Sequence, residues 1–248
     1  ASAEMLGDSA AFRTLKSQLD KVTKSNGRVM LTGPAGAGKE IAARYIHTNS
    51  NRAGAPFVTV SSASIEPDRM EEVLFGREGG SRGIEKGLLE EATGGVIYFD
   101  EIGDMPLGTQ SKILRVLVDQ RFQRVGGNDK VQVDLRVISS TNRDLTAAID
   151  AGTFREELFH RLNVVPIAVP SLEERREDIP LLAEYFIEML NKGQGLPLRR
   201  LAEDARALLQ TMLWPGNVRQ LKNVVERVLI LGESGDDISA KELPASDD

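Results

Sequence analysis

With 248 residues, 41% hydrophobic and 27% charged, the chain is long enough to bury a full core and too apolar to remain disordered. A net charge of -6 argues against a domain that grips nucleic-acid phosphates by itself, and the absence of cysteine excludes disulfides and thiolate metal sites while suiting a reducing compartment. No apolar run approaches the ~20 residues of a membrane span, the opening "ASAEMLGDSA" lacks a secretion-signal pattern, and without an initiator Met the chain is expected to be a segment of something longer.

In chain order, Phe12, Leu15, Leu19 and Val22 recur at helical spacing, and "RVMLTG" (28–33) is a short apolar strand ending in glycine. "EIAARYIHTNS" (40–50) follows as a helix, "APFVTV" (55–60) as a strand, and "GGVIYFDE" (94–101) as a strand buried on both faces. A helix is expected after Pro106, with strands over "VDLRVISSTN" (133–142) and "NVVPIAVP" (163–170). Strands alternating with helices require crossover connections, hence a mostly parallel sheet between helices. From Ser171 the pattern turns helical over 172–190, 202–214 and 217–232. The expected organisation is an α/β nucleotide-binding subdomain (1–170), a small all-helical lid (171–235) and an acidic, flexible tail (236–248).

"GPAGAGK" (33–39) leaves a strand and opens a helix, which is the setting a phosphate-binding loop requires. Gly33, Pro34, Ala35, Gly36, Ala37 and Gly38 would curl so that several N–H groups face one anion, while the helix N-terminus adds positive potential. Lys39 would reach the β- and γ-phosphates; Glu40 stands where many such loops place a hydroxyl ligand for Mg2+.

"VIYFDE" (96–101) then delivers two carboxylates at the end of an apolar strand, where open parallel sheets bind ligands. Asp100 would hold magnesium, and Glu101 would orient and activate the attacking water. "SSTN" (139–142) ends another strand and offers Asn142 as a polar group beside a γ-phosphate. "TFREELFHRLNV" (153–164) carries Arg155 and Arg161, of the type that reaches a γ-phosphate from a neighbouring subunit and raises the rate by ~10³–10⁵. "WPGNVRQL" (214–221) sets Arg219 on the first turn of a lid helix, from which it could reach the nucleotide.

These elements, in this order, resemble an AAA+ ATPase. "GKE" (38–40), "LFG" (74–76), "DEIGDMP" (100–106), "FQRVGG" (122–127), "STNRDL" (140–145) and "FREELFHRLNVVPI" (154–167) are similar to the central domain of NtrC-family activators, which remodel sigma-54 RNA polymerase. The match runs through residues 5–232. The resemblance implies ATP/ADP and Mg2+ as cofactors, a ring-shaped homo-oligomer (usually a hexamer, with monomer or dimer possible for the isolated piece), Arg155 and Arg161 as trans-acting fingers, and Arg219 as lid sensor. It also implies receiver and DNA-binding domains elsewhere in a cytoplasmic two-component regulator, with no direct DNA or membrane binding by this segment.

The chain departs from that family at two places. Ser61 stands where the family usually places an Asn that switches the catalytic glutamate, and nothing in "GREGGSRGIEKG" (76–87) matches the GAFTGA loop that contacts the sigma factor. That segment has neither Phe nor Thr and is expected to be a mobile connection without the sigma-contacting tip. The combination is most similar to the NtrX branch of nitrogen-regulation response regulators. Three functions stay open: an oligomerisation-dependent ATPase that does not engage sigma-54 in the usual way, an ATP-binding assembly module with little hydrolysis that regulates DNA binding, and a sigma-54-dependent activator with a divergent loop.

Overall fold

The computed structural model describes residues 5–232 and 235–244. The chain begins with α1 (Ala10–Val22), β1 (Val29–Thr32), α2 (Lys39–Thr48) and β2 (Phe57–Ser61). Next come α3 (Met70–Phe75), a hairpin of β3 (Arg77–Gly80) and β4 (Gly83–Glu85), α4 (Leu88–Glu91) and β5 (Val96–Asp100). After α5 (Leu107–Asp119), a second hairpin pairs β6 (Arg121–Gln123) with β7 (Lys130–Gln132), followed by β8 (Arg136–Thr141), α6 (Leu145–Asp150), α7 (Glu156–Leu162) and β9 (Val165–Ala168). The last helices are α8 (Ile179–Gln194), α9 (Glu203–Thr211) and α10 (Asn217–Leu231).

The chain groups into two compact units. One comprises Gln18–Thr32 and Lys39–Ala168; the other comprises the chain up to Ser17, the loop Gly33–Gly38 and the chain from Val169 onward. These units are discontinuous, unlike the domains 1–170 and 171–235 expected from sequence, because the glycine loop and the first residues of α1 group with the helices.

The first unit holds the expected parallel sheet, in the order β2-β5-β8-β1-β9. Each strand anticipated from an apolar run is present, and β8 is buried along its whole length, as expected for a strand covered on both faces. The register sets Ser61 opposite Asp100, and Thr32 opposite Thr141, so four strands end together at one edge. Beneath that edge, Met30, Val60, Ile97, Phe99 and Val137 pack against Leu74, Phe75, Ile113 and Leu158. A buried arginine, Arg136, enters β8 and donates to the main-chain oxygens of Val22 and Thr23, satisfying the end of α1. Burial pulls its guanidinium down to about 10.

The second unit is built on Leu182, Phe186, Leu209, Trp214, Leu221 and Val225. Trp214 is buried and its indole N–H donates to the Leu209 carbonyl at 2.9 Å, an anchor for the helical core. The single helix expected over 172–190 is in fact two: a 3-10 stretch Leu172–Asp178 and then α8, with Arg175 out of helical conformation between them. Two causes combine. Pro180 lacks an N–H and favours the first turn of a new helix. Asp178 turns its carboxylate away to accept the N–H groups of Asp8 (2.7 Å) and Ser9 (2.9 Å) together with the Arg175 guanidinium (3.0 Å).

The described part of the segment expected as a tail, residues 236–244, packs onto this unit. Ile238 is buried and bridges to Leu201, and Arg199 forms a two-pronged pair with Glu242 at 2.8 Å on both prongs. Residues 245–248 lie outside the described residues. Among the described residues no helix is long and apolar enough to cross a membrane.

Candidate functional site

The glycine loop is bent by its own backbone and held from behind. Gly36 has φ +80, and a Cβ there would stand 2.3 Å from the Gly216 carbonyl oxygen, so both conformation and space demand glycine. Asn217, the buried first residue of α10, adopts a left-handed φ of 52, which Asn tolerates better than most residues. Its side-chain amide donates to the Ala35 carbonyl at 3.1 Å and its carbonyl accepts the Leu172 N–H at 2.8 Å. The Arg219 N–H donates to the Gly36 carbonyl at 3.2 Å, and the Arg219 side chain is exposed. In a trans peptide the N–H points opposite to its carbonyl, so tying the Ala35 carbonyl to Asn217 turns the Gly36 N–H to the other side of the loop. Gly33 and Gly38 also carry positive φ, Pro34 and Ala35 are exposed, and Ala37 is buried. Lys39 is the first residue of α2, and the exposed Glu40 pairs with Arg44 at 3.4 Å, one helical turn on.

At the sheet edge, Asp100 closes β5 and Glu101 follows in a left-handed conformation with φ 51, a strained position for a non-glycine residue. Ser140, on the neighbouring β8, accepts the Tyr98 phenol at 2.9 Å and the Glu101 N–H at 3.2 Å, and its hydroxyl donates to Asp100 Oδ1 at 3.3 Å. The Glu101 carboxylate accepts the main-chain N–H of Asn142 at 3.1 Å and lies 3.6 Å from Arg143 Nε. Arg143 also pairs with Asp104 and donates to the Gly103 carbonyl at 3.4 Å. Burial pushes the Glu101 carboxyl above its ordinary range, against hydrogen bonds from Thr141 and Asn142 and the nearby Arg143 charge. Burial likewise raises the Tyr98 phenol. Ser61, opposite Asp100, has its hydroxyl engaged with that of Ser64 at 3.1 Å.

The sequence predicts a role for the Asn142 side chain, yet its contact to Glu101 runs through its backbone. The sequence motifs do not mark Ser140, Arg143, Tyr98 or Asn217. The signals were thin: a serine within "SSTN" and an asparagine after "WPG" also suit ordinary strand ends and turns.

Arg155 and Arg161 flank the buried face of α7 formed by Leu158 and Leu162. Both arginines are exposed, and among the described residues neither forms an ion pair. The Arg155 guanidinium donates to the Leu107 carbonyl at 3.0 Å, while its N–H is held at 2.9 Å by the buried side chain of Gln110. The Arg161 carbonyl accepts from Arg28 at 3.3 Å.

The segment 76–87, expected as a mobile connection, forms a short antiparallel hairpin turning through Ser81 and Arg82. Its base is fastened to "FQRVGG". Glu78 and Gly76 exchange main-chain bonds with Val125, both at 3.0 Å, and Arg124 lies 3.8 Å from the Glu78 carboxylate while gripping Glu90 of α4 through two 2.8 Å bonds. Ile84 is exposed on the outer strand.

Comparison with known proteins places this geometry in a lineage. Residues 5–168 match the model of the sigma-54 interaction domain, and residues 173–247 match that of an AAA+ ATPase lid domain. The nitrogen assimilation regulatory protein NtrX of Azorhizobium caulinodans is 51% identical over 97% of this chain and 54% of its own length. The transcriptional regulator NtrC of Klebsiella pneumoniae is 39% identical over 98% of the chain and 53% of its own length. The crystal structure of NtrX from Brucella abortus in complex with ATP aligns with a TM-score of 0.92 and 51% identity, over 98% of this chain and 57% of that one. The chain thus spans about half the length of the curated relatives it matches. With both models matched in order along the parallel sheet and the helical unit, the chain belongs to the sigma-54 interaction domain family and carries an AAA+ domain with its lid.

Proposed function

We propose that this chain is the ATP-binding, ATP-hydrolysing oligomerisation domain of an NtrX-like, cytoplasmic two-component regulator of nitrogen metabolism. The observation that carries it is the carboxylate pair at the end of β5, with the Glu101 carboxylate held by the Asn142 N–H. Phosphates would lie on the loop 33–38 with Lys39 neutralising their charge, in line with the ATP and ADP complexes of the Brucella abortus relative. Among the described residues no group of three or more acidic, His or Cys side chains is placed to hold a metal ion. Mg2+ suits this donor set, because it is commonly held by one or two carboxylates with phosphate oxygens and water. Asp100 would hold it, and the ion when bound neutralises charge on the transferring phosphoryl group.

Glu101 takes the proton from a water whose oxygen attacks the γ-phosphorus, while the bond from that phosphorus to the bridging oxygen breaks and ADP leaves. Asn142 stands beside the γ-phosphate. Arg155 and Arg161, exposed and free of acidic partners among the described residues, are donated to the nucleotide of an adjacent copy, and Arg219 closes from the lid. Hydrolysis per molecule should therefore rise steeply with protein concentration and collapse in Glu101→Gln and in Arg161→Ala. Negligible turnover at every concentration, with ATP still bound, would replace the motor by an assembly module. That second reading is favoured by Ser61, whose hydroxyl bonds to Ser64 in the position from which the glutamate would be switched.

The hairpin 76–87 presents charged side chains and Ile84, with neither Phe nor Thr, so the domain is not expected to capture sigma-54 with ATP or a transition-state analogue. Pull-down of sigma-54 by this domain under those conditions would instead identify an activator with a divergent loop. The receiver and DNA-binding domains of the longer protein would supply signal input and DNA contact.

A further inference from the structure

We propose that Ser140 is a positioning residue: one buried hydroxyl fixes both the Asp100 side chain and the Glu101 backbone, and Tyr98 sets the direction in which that hydroxyl points. The inference rests on the reading of Asp100 and Glu101 as the hydrolytic pair and extends it to the buried residues behind that pair.

A serine hydroxyl has one hydrogen to give and two lone pairs to accept with. At Ser140 all three are used, by the Tyr98 O–H (2.9 Å), the Glu101 N–H (3.2 Å) and Asp100 Oδ1 (3.3 Å). Tyr98 and Ser140 are both 0% exposed, so water does not reach either hydroxyl. With both lone pairs occupied, the Ser140 hydrogen has one direction left, toward Asp100. The Tyr98–Ser140–Asp100 chain polarises along its length, strengthening the last bond. It leaves the other oxygen of Asp100 to face a cation. The same hydroxyl anchors the backbone of Glu101 in a left-handed conformation, and such strain persists only where surrounding contacts over-determine it.

The strand contains its own control. Ser139 is the adjacent residue, is equally buried at 0%, and points to the opposite face of the sheet. Among the described residues its hydroxyl has no hydrogen-bond partner. Two serines of one strand, alike in burial, differ in whether their hydroxyl is used.

The probe is Mn2+ with ADP, followed by electron paramagnetic resonance, which needs no turnover. Ser140→Ala should weaken Mn2+ binding roughly tenfold or more, the usual cost of losing an outer partner of a metal-ligating carboxylate. Tyr98→Phe should weaken it less, Ser140→Cys should recover part of the loss, and Ser139→Ala should match the parent chain. Binding of a fluorescent ADP analogue in EDTA should stay unchanged in all four. Because Ser140→Ala strands the Tyr98 phenol, it also lowers stability; adding Tyr98→Phe should restore stability but not Mn2+ affinity, a split that a merely structural serine cannot produce. Parent-like Mn2+ binding in Ser140→Ala, or an equal loss in Ser139→Ala, overturns the inference while leaving the hydrolytic reading intact. Absence of Mn2+–ADP binding in the parent chain overturns that reading and the inference with it.

Discussion

Two stretches of the chain are rich in glycine, the loop 33–38 and the hairpin segment 76–87, and their glycines answer different demands. In the loop, Gly36 and Gly38 adopt positive φ, and Gly36 also lies against another backbone, so the chain can curl there only without a side chain. In the hairpin the demand for space sits at the base, where Gly76 combines φ +77 with the Glu85 carbonyl oxygen 2.4 Å from an added Cβ. A Cβ on Gly87 would stand 2.4 Å from both the Gly76 nitrogen and the Leu74 carbonyl oxygen, whereas Gly80 and Gly83 near the turn have nothing within 4 Å. Similar composition thus conceals a site-forming bend in one stretch and a fastening point with an open turn in the other. Glycine content alone cannot separate them; the atoms within reach of an added Cβ can.

The largest effect on nucleotide binding is expected where both demands coincide inside the loop, at Gly36. Gly36→Ala meets the Gly216 carbonyl and a disfavoured φ together, so its cost combines overpacking of about 1–3 kcal/mol with about 1–2 kcal/mol of left-handed strain. Calorimetry should find ADP affinity down by about 100-fold, which corresponds to about 2.7 kcal/mol; parent-like affinity would remove the distinction between the two stretches. Gly87→Ala should cost about 1–3 kcal/mol of stability by overpacking alone, read from denaturant unfolding. Its ADP affinity should stay at the parent value, because the strain is confined to the hairpin base. An equal fall in ADP binding for Gly87→Ala would mean that the hairpin base is tied to the nucleotide site after all.

The same contrast marks what the sequence makes legible. The loop could be placed because a strand, a run of glycines and a lysine opening a helix occur consecutively, and Asp100 and Glu101 because they end an unmistakably apolar strand. The partners that hold them were hidden by distance along the chain. Ser140 reaches residues about forty positions earlier, and Asn217 reaches Ala35 from the far end of the chain. Nothing local separates these two from ordinary strand-end and turn residues. The hairpin was hidden for another reason: its strands are short, charged and glycine-rich, and they form because their base is pinned by main-chain bonds to Val125 and by the Arg124–Glu78 ion pair rather than by strand propensity. The break within 172–190 was legible in principle, since "DIP" (178–180) places proline where a helix begins.

The smallest expected effects come from the open turn and test whether conformation matters when space does not. Gly83 has φ +73, so Gly83→Ala should destabilise the hairpin by about 1–2 kcal/mol despite having no neighbour to meet. Gly80 has neither a positive φ nor a neighbour, so Gly80→Ala should stabilise it by about 0.4–1 kcal/mol through the lower entropy of the unfolded chain. Hydrogen exchange of the hairpin amides reports local opening directly and should speed up in the first variant and slow down in the second. Because neither glycine meets another atom, opposite signs would isolate backbone conformation as the cause. Equal signs would mean that the turn is not held in the left-handed geometry that sets Gly83 apart from Gly80.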